Sequence, residues 1–261
     1  MKEIKMLLNF LTNLVKQLKT INSKYNGNHL ASKWQKFPGI IHQKIFPRAT
    51  YSPWINDIKF QSAYQIAKNY TLIDEYRMYE LYQLALQAAK LNGDFLEVGV
   101  WRGGSSAMIQ SAIKNLDSKN RFYIADTFKG VVKAGSVYDT KYKGGEHNDA
   151  KISDVKRLFK QIKLSEPKIL VGIFPDEYKT LDIKKIVFVH CDVDAYESTK
   201  DIIEWCIPKM VKGGVIVLDD YGFSSCEGVT SYVNFIAQDL LLRKNFRFIY
   251  NLNGHAILIK L

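Results

Sequence analysis

Along residues 71–261 the period of the apolar positions keeps changing. In "LIDEYRMYELYQLALQAAKL" they return every three or four positions, the spacing that turns one face of an α-helix toward a core. The next run, "DFLEVGV", is short and nearly all apolar, as expected of a strand covered on both faces. The alternation continues with a helix at "SSAMIQSAIKNL" and a strand at "RFYIADTF". After a Gly-rich, charged stretch (130–150) come a helix at "ISDVKRLFKQI" and strands at "KILVGIF" and "KIVFVHCDVD". A helix at "STKDIIEWCIPKM", a strand at "GVIVLDD" and a helix at "CEGVTSYVNFIAQDLLL" follow. Two last strands, "FRFIYNL" and "GHAILIK", are separated by Asn253 and Gly254, which suit a tight turn. This order predicts an α/β fold: a doubly wound, mostly parallel sheet with helices on both faces, ending in a hairpin.

Residues 1–70 read differently. Ile4, Leu7, Leu8, Leu11, Leu14, Val15, Leu18 and Ile21 recur at helical spacing among lysines, so 3–21 is predicted as an amphipathic helix. Residues 22–60, with three prolines and two tryptophans, predict an irregular arm. The domains expected are therefore a basic arm, 1–70, and a catalytic domain, 71–261. Residues 1–70 hold 11 of the 37 Lys/Arg against Glu3 and Asp57, +9 of a net +11. The helix can pack on the domain or on a second subunit, which makes a homo-oligomer the expected state, or lie on an anionic membrane as a peripheral contact. No nucleic-acid module is visible, because the charge does not alternate with aromatics in a stacking pattern. Cys191, Cys206 and Cys226 form no C-x-x-C pair and are odd in number, so neither a disulfide framework nor a zinc site is suggested. With no membrane-length apolar run and no cleavage signal, a cytoplasmic location is expected.

Candidate chemistry gathers where the strands stop. "FVHCDVDAYESTKD" sets Asp192 and Asp194 past one strand, and "VLDDYG" sets Asp219 and Asp220 past another. In doubly wound sheets ligands bind beyond the carboxyl ends of the strands. Carboxylates crowded there repel one another unless protons or a cation intervene, and oxygen-only donors favour a hard cation such as Mg²⁺. Ser198 and Asp201 have capping-box spacing and are read as structural. The turn "LEVGVWRGGSS" lacks the dinucleotide fingerprint, since Trp101 takes the second glycine's place, and Ser105 replaces the lysine of a phosphate loop. Glu97 suits a cationic amino group instead, and Asp126, ending the second strand, suits ribose hydroxyls. A ribose with an ammonium and no phosphate describes S-adenosylmethionine (SAM).

"LEVGVWRGGSS", "ADTFKG", "HCDVDAYESTKD" and "KGGVIVLDDYG" resemble, in order and spacing, the macrocin O-methyltransferase family of SAM- and Mg²⁺-dependent sugar methyltransferases, over roughly residues 70–232. Val193 departs from that pattern, standing where glycine is expected. The resemblance implies the seven-stranded class I SAM-dependent methyltransferase (Rossmann-like) fold. It further implies that Glu97, Gly99 and the amides near Ser105 hold the methionine part of SAM. Asp126 would bind the ribose, flanked by Thr127 and Phe128, while Gly172 and Ile173 border the adenine. Asp192, Asp219 and Asp220 would ligate Mg²⁺, with Asp192 or Asp194 as general base. His190 is a further candidate proton acceptor, against the simpler expectation of a buried ring bonded to a backbone carbonyl. The substrate implied is a sugar, free, nucleotide-linked or in a glycan, with an anionic acceptor favoured by the basic arm. A catechol-type O-methyltransferase, an RNA methyltransferase and a non-catalytic nucleotide-binding protein are the rival readings.

Overall fold

The computed structural model describes residues 49–114, 120–135 and 137–261. The predicted amphipathic helix at 3–21 and most of the irregular arm lie outside the described residues. The sheet and its helices belong to a compact unit beginning at Ile45, so the boundary expected at 70/71 falls inside it. The reason is helix α1 (Ile58–Ala67), which the sequence reading had left in the arm. It starts on Asp57, whose side chain accepts from the Phe60 amide, and buries Phe60, Ala63, Tyr64 and Ala67 in the core.

In chain order the remaining elements are α2 (Glu75–Ala88), β1 (Asp94–Val98), α3 (Gly104–Ile113), β2 (Phe122–Asp126), α4 (Ile152–Ile162), β3 (Lys168–Val171) and β4 (Ile186–Cys191). Then come α5 (Tyr196–Cys206), β5 (Met210–Leu218), α6 (Glu227–Gln238), α7 (Leu240–Asn245), β6 (Phe246–Tyr250) and β7 (Ala256–Lys260). The strands form one seven-stranded, mostly parallel sheet, as expected; its order is β3-β2-β1-β4-β5-β7-β6, with only β7 antiparallel to its neighbours. One apolar layer joins Phe95, Phe188 and Val217 to α1–α4; the other joins Leu96, Val189 and Ile216 to α5 and α6. Burial on both faces is what lets these strands be apolar at consecutive positions.

The order reverses between β1 and β4, so the connections diverge there and leave a crevice beyond their carboxyl ends. β7 runs the other way, with Ala256 opposite Leu218, which brings the start of β7 to the same rim. Three local readings are corrected. The segment expected as one helix from 226 to 242 breaks at Asp239, whose extended backbone separates α6 from α7. Strand β4, expected over "KIVFVHCDVD", stops at Cys191, and Asp194 adopts a left-handed conformation (φ 63°), so Asp192 and Asp194 lie on a turn and not on extended chain. Helix α5 begins at Tyr196, N-capped by Ala195. Ser198 and Asp201 thus lie inside the helix rather than in a capping box. Ser198 donates to the Val132 carbonyl (2.7 Å) and Asp201 pairs with Lys133 (2.5 Å), fastening the 130–150 loop to α5.

Candidate functional site

The turn after β1 is held from beneath. Gly99 has φ 87°, and a side chain there would overlap the Asp192 carbonyl oxygen, so only glycine lets this turn cross the end of β4. Asp126 accepts from the amides of Val100 (2.7 Å) and Trp101 (2.8 Å) through one oxygen and from Phe128 (2.7 Å) through the other. A carboxylate has about four acceptor positions, so about one remains for a ligand. Glu97, expected to face an ammonium, is instead fully buried: it accepts from the Ser106 hydroxyl and lies 2.7 Å from His190 Nδ1. A buried carboxylate needs such partners, and Glu97 serves as a brace under the turn. Ser105 lies buried in the first turn of α3, whose N-cap, Gly103, supplies no side-chain acceptor; such a helix start offers its first amides to a ligand.

The other expected cofactor positions sit on neighbouring turns. The Thr127 hydroxyl donates to the Gly130 carbonyl (3.0 Å), and half-buried Phe128 packs against the core. Gly172 (φ 142°) donates its amide to the Asp126 carbonyl (3.0 Å), tying the turns after β2 and β3 together. Glu177 accepts from the Ile173 amide (2.6 Å) and fills the space a side chain at 172 would need.

At the rim beside this turn the four aspartates interact. Asp192 and Asp220 are held well above the usual carboxylate range by burial and then by the surrounding carboxylates. Burial also raises Asp194, against hydrogen bonds from Tyr142, Asp220 and Cys226. Asp219 behaves oppositely: burial alone would raise it, but Arg77, then His255 and His190, hold it well below. Arg77, from α2, donates Nη1–H to Asp219 Oδ1 and Nε–H to Asp74 Oδ2 (2.8 Å), and its guanidinium lies over the Phe223 ring. Arg77, His255 and His190 chiefly compensate Asp219, so the crowding among Asp192, Asp194 and Asp220 is left for protons or a further cation to relieve. Among the described residues, two groups of potential donor atoms lie within 4.8 Å: Asp194, Asp220 and Cys226, and His190, Asp219 and His255. The expected trio of Asp192, Asp219 and Asp220 is divided between them, with Asp192 in neither.

His190 is neither bonded to a backbone carbonyl nor free to accept a proton. Its Nδ1 meets Glu97 and its Nε2 lies 3.7 Å from Asp219 Oδ2. Burial disfavours a charged ring, yet Asp219 and Glu97 outweigh it and raise the imidazole to about 10. His255, preceding β7, mirrors it: Nδ1 is 2.7 Å from Glu80 Oε2 and Nε2 is 3.6 Å from Asp219 Oδ1. Sequence reasoning missed Arg77, Glu80 and His255. On a helical period Arg77 and Glu80 pass for ordinary polar positions, and nothing local marks His255.

The 130–150 loop covers the rim and is fastened along its length. Tyr138 stacks on Tyr196 (centroids 4.1 Å apart), Asp139 accepts from the Tyr196 amide (3.0 Å), and the Tyr142 hydroxyl reaches Asp194. Asp149 accepts from the Trp101 indole (2.7 Å) and Arg102 (2.6 Å), so the loop also ties back to the β1 turn. Tyr221 packs edge-on against Phe248 and Tyr250.

Residues 42–239 match the Macrocin-O-methyltransferase (TylF) family. Over 143 residues the chain is 31% identical to the 8-demethyl-8-(2,3-dimethoxy-alpha-L-rhamnosyl)-tetracenomycin-C 4'-O-methyltransferase of Streptomyces olivaceus, covering 51% of this chain and 55% of that one. Over 152 residues it is 30% identical to the mycinamicin III 3''-O-methyltransferase of Micromonospora griseorubida, covering 54% and 60%. The match thus spans a little over half the length of these relatives. The O-methyltransferase NovP shares the fold, with a TM-score of 0.62 and 24% identity over 73% of this chain and 82% of that one.

Proposed function

Because the chain belongs to the macrocin O-methyltransferase family, we propose that it transfers a methyl group from SAM to a hydroxyl of a sugar, with Mg²⁺ as the metal. The observation that carries this reading is the meeting, at the reversal of strand order, of a braced glycine turn and a carboxylate cluster short of positive charge. Relatives named for methylation of sugar-bearing natural products support the substrate class.

The residues present fit both groups. The amides at the start of α3 and the remaining acceptor position of Asp126 would hold the amino-acid and ribose parts of SAM, with Phe128, Gly172 and Ile173 beside the base. Asp192 and Asp220, whose crowded charges favour a cation, would hold Mg²⁺, with Asp219 beside them. When bound, the metal supplies electrostatic stabilisation of the deprotonated hydroxyl. The chain's own contribution is positioning and proton acceptance. Asp194, raised by burial and hydrogen-bonded by Tyr142, is placed to take the hydroxyl proton on a carboxylate oxygen. The fastened loop would limit water at the rim, and Asp194 and Asp220 both sit on left-handed backbone (φ 63° and 64°) beside it. An acceptor that is itself anionic, such as a nucleotide-linked sugar, is the finer reading.

The test pairs calorimetric titration of S-adenosylhomocysteine with transfer of a labelled methyl group to a panel of free, nucleotide-linked and glycosidic sugars, with and without EDTA. Cofactor binding and EDTA-sensitive labelling are expected. Labelling that persists in EDTA removes the metal role, and a chain that binds no cofactor product removes the reading altogether.

A further inference from the structure

The geometry points to a second metal site, made by His190, Asp219 and His255, for a borderline divalent cation of the Zn²⁺ type. Each ligand comes from a different one of three adjacent strands: His190 from β4, Asp219 from the residue after β5, and His255 from the residue before β7. All three residues are buried, and His190 Nε2, His255 Nε2 and Asp219 Oδ2 are the buried side-chain atoms without a hydrogen-bond partner among the described residues. Leaving one buried polar atom unpaired is costly, and three of them on residues whose donor atoms lie within 4.8 Å of one another call for a shared partner.

Both rings are already oriented as metal ligands. A histidine that binds metal through Nε2 usually gives its Nδ1–H to a carboxylate, which fixes the tautomer and the ring plane. His190 has Glu97 at 2.7 Å from Nδ1, and His255 has Glu80 at 2.7 Å. Tetrahedral zinc bonds of about 2.0–2.2 Å put neighbouring donor atoms roughly 3.4 Å apart. Here His190 Nε2 is 3.7 Å from Asp219 Oδ2, and His255 Nε2 is 3.6 Å from Asp219 Oδ1. The His190–Asp219 Oδ2 pair stands within a few tenths of an ångström of that tetrahedral spacing, and the three residues offer donor atoms within 4.8 Å of one another. Arg77 occupies the Oδ1 side of Asp219, leaving Oδ2 for the ion. Binding through Nε2 would displace the Nε2 proton from each ring, so a dication would take over the charge with which the two imidazoles now face Glu80, Glu97 and Asp219. Two imidazoles and one carboxylate favour zinc over magnesium, which prefers oxygen donors alone. The ion would pin the rim ends of β4, β5 and β7, and this inference does not depend on methyl transfer.

The test loads the full purified chain with Zn²⁺ or Co²⁺ after chelation and dialysis, then reads metal content and the visible spectrum. One retained equivalent of zinc, the intense bands of tetrahedral Co²⁺ and a Tm raised by zinc are expected. His190→Gln and His255→Gln should each lower affinity at least tenfold. Glu80→Gln, which removes only the ring's partner, should lower it about 10-fold. Asp192→Asn should leave the cobalt spectrum in place, separating this site from the oxygen-ligand rim. Wild-type chain that retains no zinc and shows no cobalt bands overturns the proposal, and so does a spectrum unchanged by His255→Gln.

Discussion

Arg77 shows how much one side chain decides at this rim. Its guanidinium is 5% exposed and the Asp219 carboxylate 1%, so each is the other's main counter-charge in a poorly solvated place. Removing one partner of such a pair leaves the other buried and uncompensated. Arg77→Met is therefore expected to cost about 3–5 kcal/mol in urea denaturation; a loss below about 1 kcal/mol would mean that His190 and His255 balance Asp219 unaided. At Asp194 the effect is expected in turnover instead. Asp194→Asn keeps the shape but cannot take a proton, so kcat should fall by about 10² to 10⁴ while calorimetric affinity for S-adenosylhomocysteine stays within error. Unchanged kcat would move the proton-accepting role to another carboxylate.

Among the elements, α4 is the one whose sequence and structure agree to the residue. Val155, Leu158 and Phe159 bury one stripe, and Asp154 folds back to accept from the Lys151 amide (3.1 Å) at its start. Its end is less comfortable, since Lys163 is left-handed at φ 59°. Glycine meets no steric penalty there, so Lys163→Gly is expected to raise stability by up to about 1 kcal/mol in thermal or urea unfolding; a loss would show that the lysine makes a compensating contact. The 130–150 loop has a pH-dependent latch. Glu146 accepts from the amides of Lys143 (2.7 Å) and Gly144 (2.9 Å), and these bonds hold its carboxyl below the ordinary value of 4.5. A depressed carboxyl contributes above its unfolded value and loses that contribution as pH falls through the folded one. Protection of the loop amides from hydrogen exchange, relative to their intrinsic rates, is expected to fall below about pH 4.5, ahead of the sheet. Glu146→Gln should abolish that difference.

The whole molecule rests on two apolar layers pressed on one sheet, with the central strands shared by both. Phe188 lies in the middle of β4, fully buried beside Phe95. Its replacement by alanine is expected to cost about 3–5 kcal/mol, lowering Tm by roughly 10 °C for a unit of this size. A much smaller loss would mean that the helix layer collapses into the cavity. Reversal of strand order between β1 and β4 is also a property of the whole. It sets the Gly99 turn against the Asp192 carbonyl and so places the braced turn beside the carboxylates.

The periodicity marks the strands, most of the helices beyond α1, and the rim as the place of chemistry, because buried strands and amphipathic helices leave their signature in the run of apolar residues. The glycine turn and the four aspartates were legible for the same reason: they sit where those runs stop. Which polar groups meet was not legible. Arg77, Glu80 and His255 come from a helix and a hairpin far along the chain, and only the antiparallel return of β7 beside β5 brings His255 to Asp219. Likewise Glu97, read as a ligand from its place at a strand end, turns inward because the neighbouring strand presents His190 and helix α3 presents Ser106. Local sequence sets where a carboxylate sits, but the partners that fix its charge and direction are supplied by neighbouring elements, and those are chosen by the packing of the sheet.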